Sequence, residues 1–94
     1  MNVRKVVGWN LRKFRLERQL TIEDLAGICD VDSSFLARME RGTVNSSIDL
    51  LSGVAEVLKI RMFELFVEPL PGAVLPKALP KGPKPARRRA RRTG

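Results

Sequence analysis

The side chains with most to offer chemically lie between Ser33 and Asn45. Arg38 and Arg41 carry planar guanidinium groups with paired N–H donors, Ser33, Ser34, Thr43 and Asn45 both donate and accept, and Ala37 adds little bulk between them. That set suits hydrogen bonding to an extended polar surface rather than bond breaking. Histidine is absent from the chain, so Ser-His-Asp and Cys-His arrangements are excluded. No Cys/His cluster or carboxylate ladder has metal-ligand spacing, and there is no glycine-rich phosphate loop. An enzyme, a metal site and a small-molecule cofactor are therefore not expected.

Two short helices joined by a tight turn must position these groups. Thr21 is a good N-cap and Asp24, at the third helical position, can complete a capping box, so the first helix starts at Ile22. Ile22, Leu25, Ala26 and Cys29 fall at i, i+3, i+4 and i+7 and form one apolar stripe. Asp30 tolerates left-handed backbone and stops the helix without glycine. Val31 returns to the core, and Asp32 is expected to cap a second helix by accepting its first amide hydrogens. Leu36 and Met39 face inward and Gly42 ends the helix. Ser33, Ser34, Ala37, Arg38 and Arg41 are left facing outward on a helix of about residues 33–41. Small polar residues and arginines on an exposed helix face suit insertion into a DNA major groove.

Flanking elements must carry this pair. A helix from Val3 or Val6 to Arg18 turns Val7, Leu11 and Phe14 inward, with Arg4, Lys5, Arg12, Lys13 and Arg18 on its other sides and Trp9 half-exposed. After the polar loop TVNSS, Ser46 or Ser47 caps a helix whose inward stripe is Ile48, Leu51, Val54, Ala55 and Leu58. Gly53 inside it costs up to about 1 kcal/mol relative to alanine unless something packs closely against it. A fifth helix from about Arg61 to Phe66 places Met62, Leu65 and Phe66 inward and turns Phe63 elsewhere.

The net charge of +8 is unevenly spread. Residues 1–69 hold equal numbers of basic and acidic side chains, whereas Lys77, Lys81, Lys84, Arg87, Arg88, Arg89, Arg91 and Arg92 follow with no acid among them. All six prolines lie between Pro69 and Pro85. Each removes an amide donor and pushes its predecessor away from helix, so residues 69–94 are expected to be a disordered basic tail beside a folded domain of residues 1–68. Arg87, Arg88, Arg89, Arg91 and Arg92 then offer a sequence-independent grip on DNA phosphates. A chain of 94 residues allows one core, and 44% hydrophobic content suffices to build it without disulfides. Cys29, on the inward stripe, reads as a small buried apolar residue. No apolar run is long enough for a bilayer and residues 1–8 do not resemble a signal peptide, so a cytoplasmic location without membrane attachment is expected.

With VGWNLRKFR, LTIEDLA, VDSSFLARMERG, NSSIDLLSGVAEVL and IRMFELF in that order between Val7 and Phe66, the chain resembles the Xre/Cro-type, lambda-repressor-like DNA-binding domains. The resemblance implies an all-α, five-helix fold and a sequence-specific regulator of transcription, repressor-like, acting on double-stranded DNA as a two-fold homodimer. It places Ser33, Ser34, Ala37 and Arg38 against base edges and Arg41, Thr43 and Asn45 against backbone phosphates. Arg38 is the strongest candidate for reading guanine, because its paired donors match the O6 and N7 acceptors. It further implies a partly buried ion pair between Arg15 and Glu40. Three positions depart from the family: Ile22 stands where a phosphate-binding glutamine is common, Asp30 where glycine is usual, and Ser33 where a longer base-reading side chain is frequent. Leu50, Val57 and Phe63 stand where the family more often has polar residues, which makes them the candidates for the dimer interface. The alternative is a protein-interaction adaptor or antitoxin-like module on the same fold, which the neutral domain and its apolar outer positions would suit.

Overall fold

A computed structural model describes residues 2–78, and among them it holds four α-helices, one 3-10 helix and no strand. The order is α1 (Val3–Glu17), α2 (Ile22–Cys29), α3 (Ser33–Arg41), α4 (Ile48–Leu58) and a 3-10 helix (Met62–Phe66). Arg87, Arg88, Arg89, Arg91, Arg92 and most of the basic tail lie outside the described residues. From Pro69 to residue 78 the chain forms neither helix nor strand, with one turn closed by the Ala73 N–H on the Leu70 carbonyl at 2.9 Å.

Leu11, Leu25, Leu36, Val54, Leu58 and Leu65 are fully enclosed, so every element places at least one side chain at the centre. Val7 and Phe14 from α1 and Met39 from α3 complete the layer around them. The stripes of α1, α2 and α3 point inward as their spacing predicts, with Val6 and Leu16 buried in addition. Two expectations fail at the ends of elements. Ile48 is 73% exposed, because at the first position of α4 its direction carries it past the edge of the core. Phe66 is 44% exposed, because residues 62–66 wind as a 3-10 rather than an α-helix and the tighter three-residue turn changes which side chains share a face. Leu65 alone of that segment is buried.

All four helices stop in the same way. A residue in the left-handed region follows the last turn at Gln19, Asp30, Gly42 and Lys59, and only one of these is glycine. In each case the next amide reaches back into the helix: Leu20 to the Arg15 carbonyl at 3.1 Å, Val31 to Ala26 at 2.9 Å, Thr43 to Arg38 at 3.1 Å and Ile60 to Ala55 at 3.0 Å. Leu20, Val31 and Ile60 pack against the core. Burying that apolar residue offsets the strain of the non-glycine one before it. At α4, Arg18 adds a further stop by donating Nε to the Leu58 carbonyl at 2.5 Å, where a cation also faces the negative end of the helix. Arg18 is therefore a bridge between α1 and α4, not a surface decoration.

Candidate nucleic-acid interface

The start of α2 is closed on itself. The Asp24 N–H donates to Thr21 Oγ1 at 2.9 Å and the Thr21 N–H donates to Asp24 Oδ2 at 3.0 Å, the expected capping box. Ile22 is half-buried against the core. Asp24 is buried within that box, so of the two carboxylates in the first turn only Glu23 is exposed at this helix end.

The start of α3 is built differently. Asp32 occupies the N-cap with extended backbone but its side chain makes no cap hydrogen bond. Its carboxylate instead accepts the Ser34 hydroxyl, two residues on. The expected cap is thus replaced by a local side-chain pair that competes for the same oxygen. One consequence concerns Ser34: its only proton is committed to Asp32, leaving hydroxyl lone pairs as what it offers outward. Of the two candidate caps for α4, Ser46 is not the one used. Ser47 caps α4, its Oγ accepting the Leu50 N–H at 3.0 Å.

Along α3, Ser34, Arg38 and Arg41 are exposed on a common face at i, i+4 and i+7, while Ser33 and Ala37 are half-buried beside them. The Arg38 guanidinium lies 5.7 Å from the centre of the Phe35 ring, and Phe35 itself is half-buried against the core. Thr43 is exposed, with its Oγ1 donating to the Arg38 carbonyl at 3.2 Å, so it finishes the helix as well as facing solvent. Asn45 is exposed and shares a groove with Arg4, Val44 and Ser46. Arg4 and Phe35 are the site neighbours that spacing alone did not single out. The signal for Phe35 was its place three residues before Arg38 on one helix.

What holds α3 in place is its contact with α1. A Cβ at Gly8 would lie 2.5 Å from the carbonyl oxygens of Met39 and Glu40, so the two backbones approach as closely as glycine permits. At the end of α3, Gly42 has φ +73° and sits against the Lys5 backbone, where a Cβ would be 2.8 Å from its Cα. Arg15 donates Nε to Glu40 Oε2 at 2.6 Å and Nη2 to Glu40 Oε1 at 3.0 Å. Both side chains are less than a tenth exposed, and Arg15 Nη1 also donates to the Leu20 carbonyl at 2.8 Å. The fork is planar and bidentate, so it fixes rotation of α3 as well as distance.

Two further polar features lie away from α3. Asn10, 4% exposed, donates Nδ2 to the carbonyls of Leu65 and Val67 at 2.9 and 2.8 Å, which pins the segment after the 3-10 helix onto α1. Burial pushes the Cys29 thiol pKa up, which keeps it neutral and poorly nucleophilic. Among the described residues no three metal-ligating side chains come together and no helix is long and apolar enough to cross a membrane.

The dimer candidates fall into two places. Leu50 and Val57 are half-buried, already packing on the core, and line a shallow groove with Ile28, Cys29 and Gly53. Phe63 is 63% exposed and lines another groove, with Trp9, Val67, Leu70 and Val74. The first two are thus not spare apolar residues outside a complete stripe. The inward face of α4 is wider than five positions.

Comparison with known proteins agrees with this geometry. The helix-turn-helix family model matches residues 11–65. The HTH-type transcriptional regulator DdrOP3 of Deinococcus deserti is 35% identical over 55 residues, 58% of this chain and 43% of that protein. Control protein C.BamHI of Bacillus amyloliquefaciens is 31% identical over 65 residues, 68% of this chain and 80% of its own length. The crystal structure of SinR, the master regulator for biofilm formation, in complex with DNA superposes with a TM-score of 0.60 at 30% identity, covering 63% of this chain and 95% of that one. The chain thus spans less than half the length of the first of these relatives. With its α2-turn-α3 unit clamped to α1 and the family model matching from the middle of α1 to the 3-10 helix, the chain belongs to the helix-turn-helix family.

Proposed function

We infer that the chain is a sequence-specific, double-stranded DNA-binding regulator of transcription that presents α3 to the major groove. The observation carrying this is the exposed line of Ser34, Arg38 and Arg41 on a helix whose opposite face is locked to α1 through Gly8, Gly42 and the Arg15–Glu40 pair. A base-reading helix has to be rigid relative to its scaffold, since a shift of about an ångström breaks a bidentate hydrogen bond. Family membership and the DNA held by SinR support the same reading.

Arg38 reads guanine, with Ser33, Ser34 and Ala37 against neighbouring base edges. Ser34, its proton given to Asp32, acts there as an acceptor. Arg41, Thr43 and Asn45 hold phosphates, which position the protein without reading sequence. Because α2 begins with the apolar, half-buried Ile22 and the exposed carboxylate of Glu23, the side chains that hold phosphates come from the end of α3 and the loop after it. The protein binds as a two-fold dimer with recognition helices about 34 Å apart, and the basic tail adds salt-sensitive, non-specific affinity. The setting is cytoplasmic and needs no cofactor.

The test is fluorescence anisotropy on duplexes enriched by the full chain from a random-sequence pool. Arg38→Ala should cost about 1–3 kcal/mol on the enriched site and less on random DNA. Absence of any enriched sequence would return the adaptor reading, in which the same fold binds a protein.

A further inference from the structure

Arg38 does not stand alone on α3. Its guanidinium lies over the Phe35 ring at 5.7 Å, a cation–π distance, one helical turn from it, while the ring's other contacts are with the core. The core side of Phe35 fixes the ring, and the ring in turn restricts where the guanidinium can go. The result is a composite surface: paired N–H donors at the edge of the guanidinium, and next to them apolar area from the guanidinium face and the exposed part of the ring. No acidic side chain of α3 or its cap is left to compete, because Glu40 is paired with Arg15 and Asp32 is engaged with Ser34.

In the major groove, donors that meet guanine O6 and N7 sit beside whatever the preceding base presents there. Thymine presents a C5-methyl group, cytosine presents a hydrogen at the same place, and 5-methylcytosine presents the methyl again. An arginine backed by an aromatic ring matches a guanine preceded by a methylated pyrimidine, since the methyl then packs on apolar surface instead of standing in water. We propose that Phe35 and Arg38 together read a 5-methylpyrimidine–guanine step, thymine–guanine in ordinary DNA, with Phe35 as the specificity-determining residue for the methyl. The proposal rests on the DNA-binding reading above and adds the identity of the base step.

The experiment uses the full chain and the duplex enriched from a random pool. The base preceding the guanine lost in the Arg38→Ala preference is replaced in turn by thymine, deoxyuridine, cytosine and 5-methylcytosine, each with its pairing partner. A buried methyl is worth about fourfold in affinity, so thymine and 5-methylcytosine should bind about fourfold more tightly than deoxyuridine and cytosine. Phe35→Leu, which keeps apolar volume against the core, should reduce that ratio while leaving the preference for guanine in place. A thermal melt shows that the variant is folded, and Phe35→Met serves in its place if it is not. Equal affinity for thymine and deoxyuridine in the wild-type chain overturns the proposal while leaving guanine reading by Arg38 intact. A ratio unchanged by either Phe35 substitution removes Phe35 from the readout. An enriched site with no pyrimidine before the guanine also overturns it, whereas no enriched site at all defeats the DNA-binding reading on which it stands.

Discussion

Gly8 in α1 and Gly53 in α4 are the same residue in the same secondary structure, and their surroundings are opposite. At Gly8 a methyl group would be 2.5 Å from two backbone carbonyls of α3, whereas at Gly53 nothing lies within 4 Å of where it would go. The α1–α3 seam is closed as tightly as backbone permits, crossed by a bidentate ion pair and ended by a left-handed glycine. The outer face of α4 and the 3-10 helix is open, with Ile48, Phe63 and Phe66 exposed. Close packing is concentrated where α3 is held, and the open face is the one where the proposed two-fold partner would have apolar area to cover. A glycine on an open helix face costs stability unless another molecule approaches it.

The largest effect should come from the seam. Glu40→Ala leaves the Arg15 guanidinium buried without its carboxylate and should lower unfolding free energy by about 3–5 kcal/mol in chemical denaturation; a loss under 1 kcal/mol would mean that the fork is solvated. Gly8→Ala forces α1 and α3 apart and is expected to cost about 1–3 kcal/mol or more, with DNA affinity falling further than stability explains because α3 moves. Gly53→Ala reverses the sign: the isolated domain should gain up to about 1 kcal/mol, read as a higher melting temperature. If the same substitution weakens self-association, the partner copy seats on α4; if it stabilises without touching association, the interface lies elsewhere. The smallest effect on stability belongs to Phe63→Lys, within about 0.5 kcal/mol because the ring is mostly in water already. Its consequence should appear in sedimentation, as a shift toward monomer. A Phe63→Lys protein that sediments like the wild type would leave the Gly53 groove as the place to look for the partner.

These contrasts also mark what local pattern can and cannot reveal. Spacing alone placed α2 from Ile22, its capping box at Thr21 and Asp24, the left-handed stop at Asp30 and the buried faces through Leu36 and Met39, because each depends on residues within one turn of each other. The same reasoning failed at Ile48 and Phe66, which are at the edges of elements, where whether a stripe finds anything to cover it depends on where another element ends. It did not anticipate the left-handed stops at Gln19 and Lys59, since neither residue type announces one. The retrievable clue was the apolar residue following each, Leu20 and Ile60, drawn inward against the core.

For the candidate site the division is similar. Which residues of α3 face outward follows from a period of 3.6, and the charge imbalance beyond residue 69 follows from counting. The pairing of Arg15 with Glu40 came from family resemblance and not from spacing, as 25 residues separate them. Only the folded arrangement shows that Asp32 surrenders its capping role to bind the Ser34 hydroxyl, that Phe35 supports Arg38, that Arg18 ties α1 to α4 and that Asn10 fastens the segment after the 3-10 helix. Sequence determined the helices, their faces and the chemical inventory, because those are set by neighbours along the chain. Tertiary structure decided which polar groups are already spent on internal partners and which remain to meet a ligand, because each donor has a fixed number of protons to give and only packing brings distant competitors within reach.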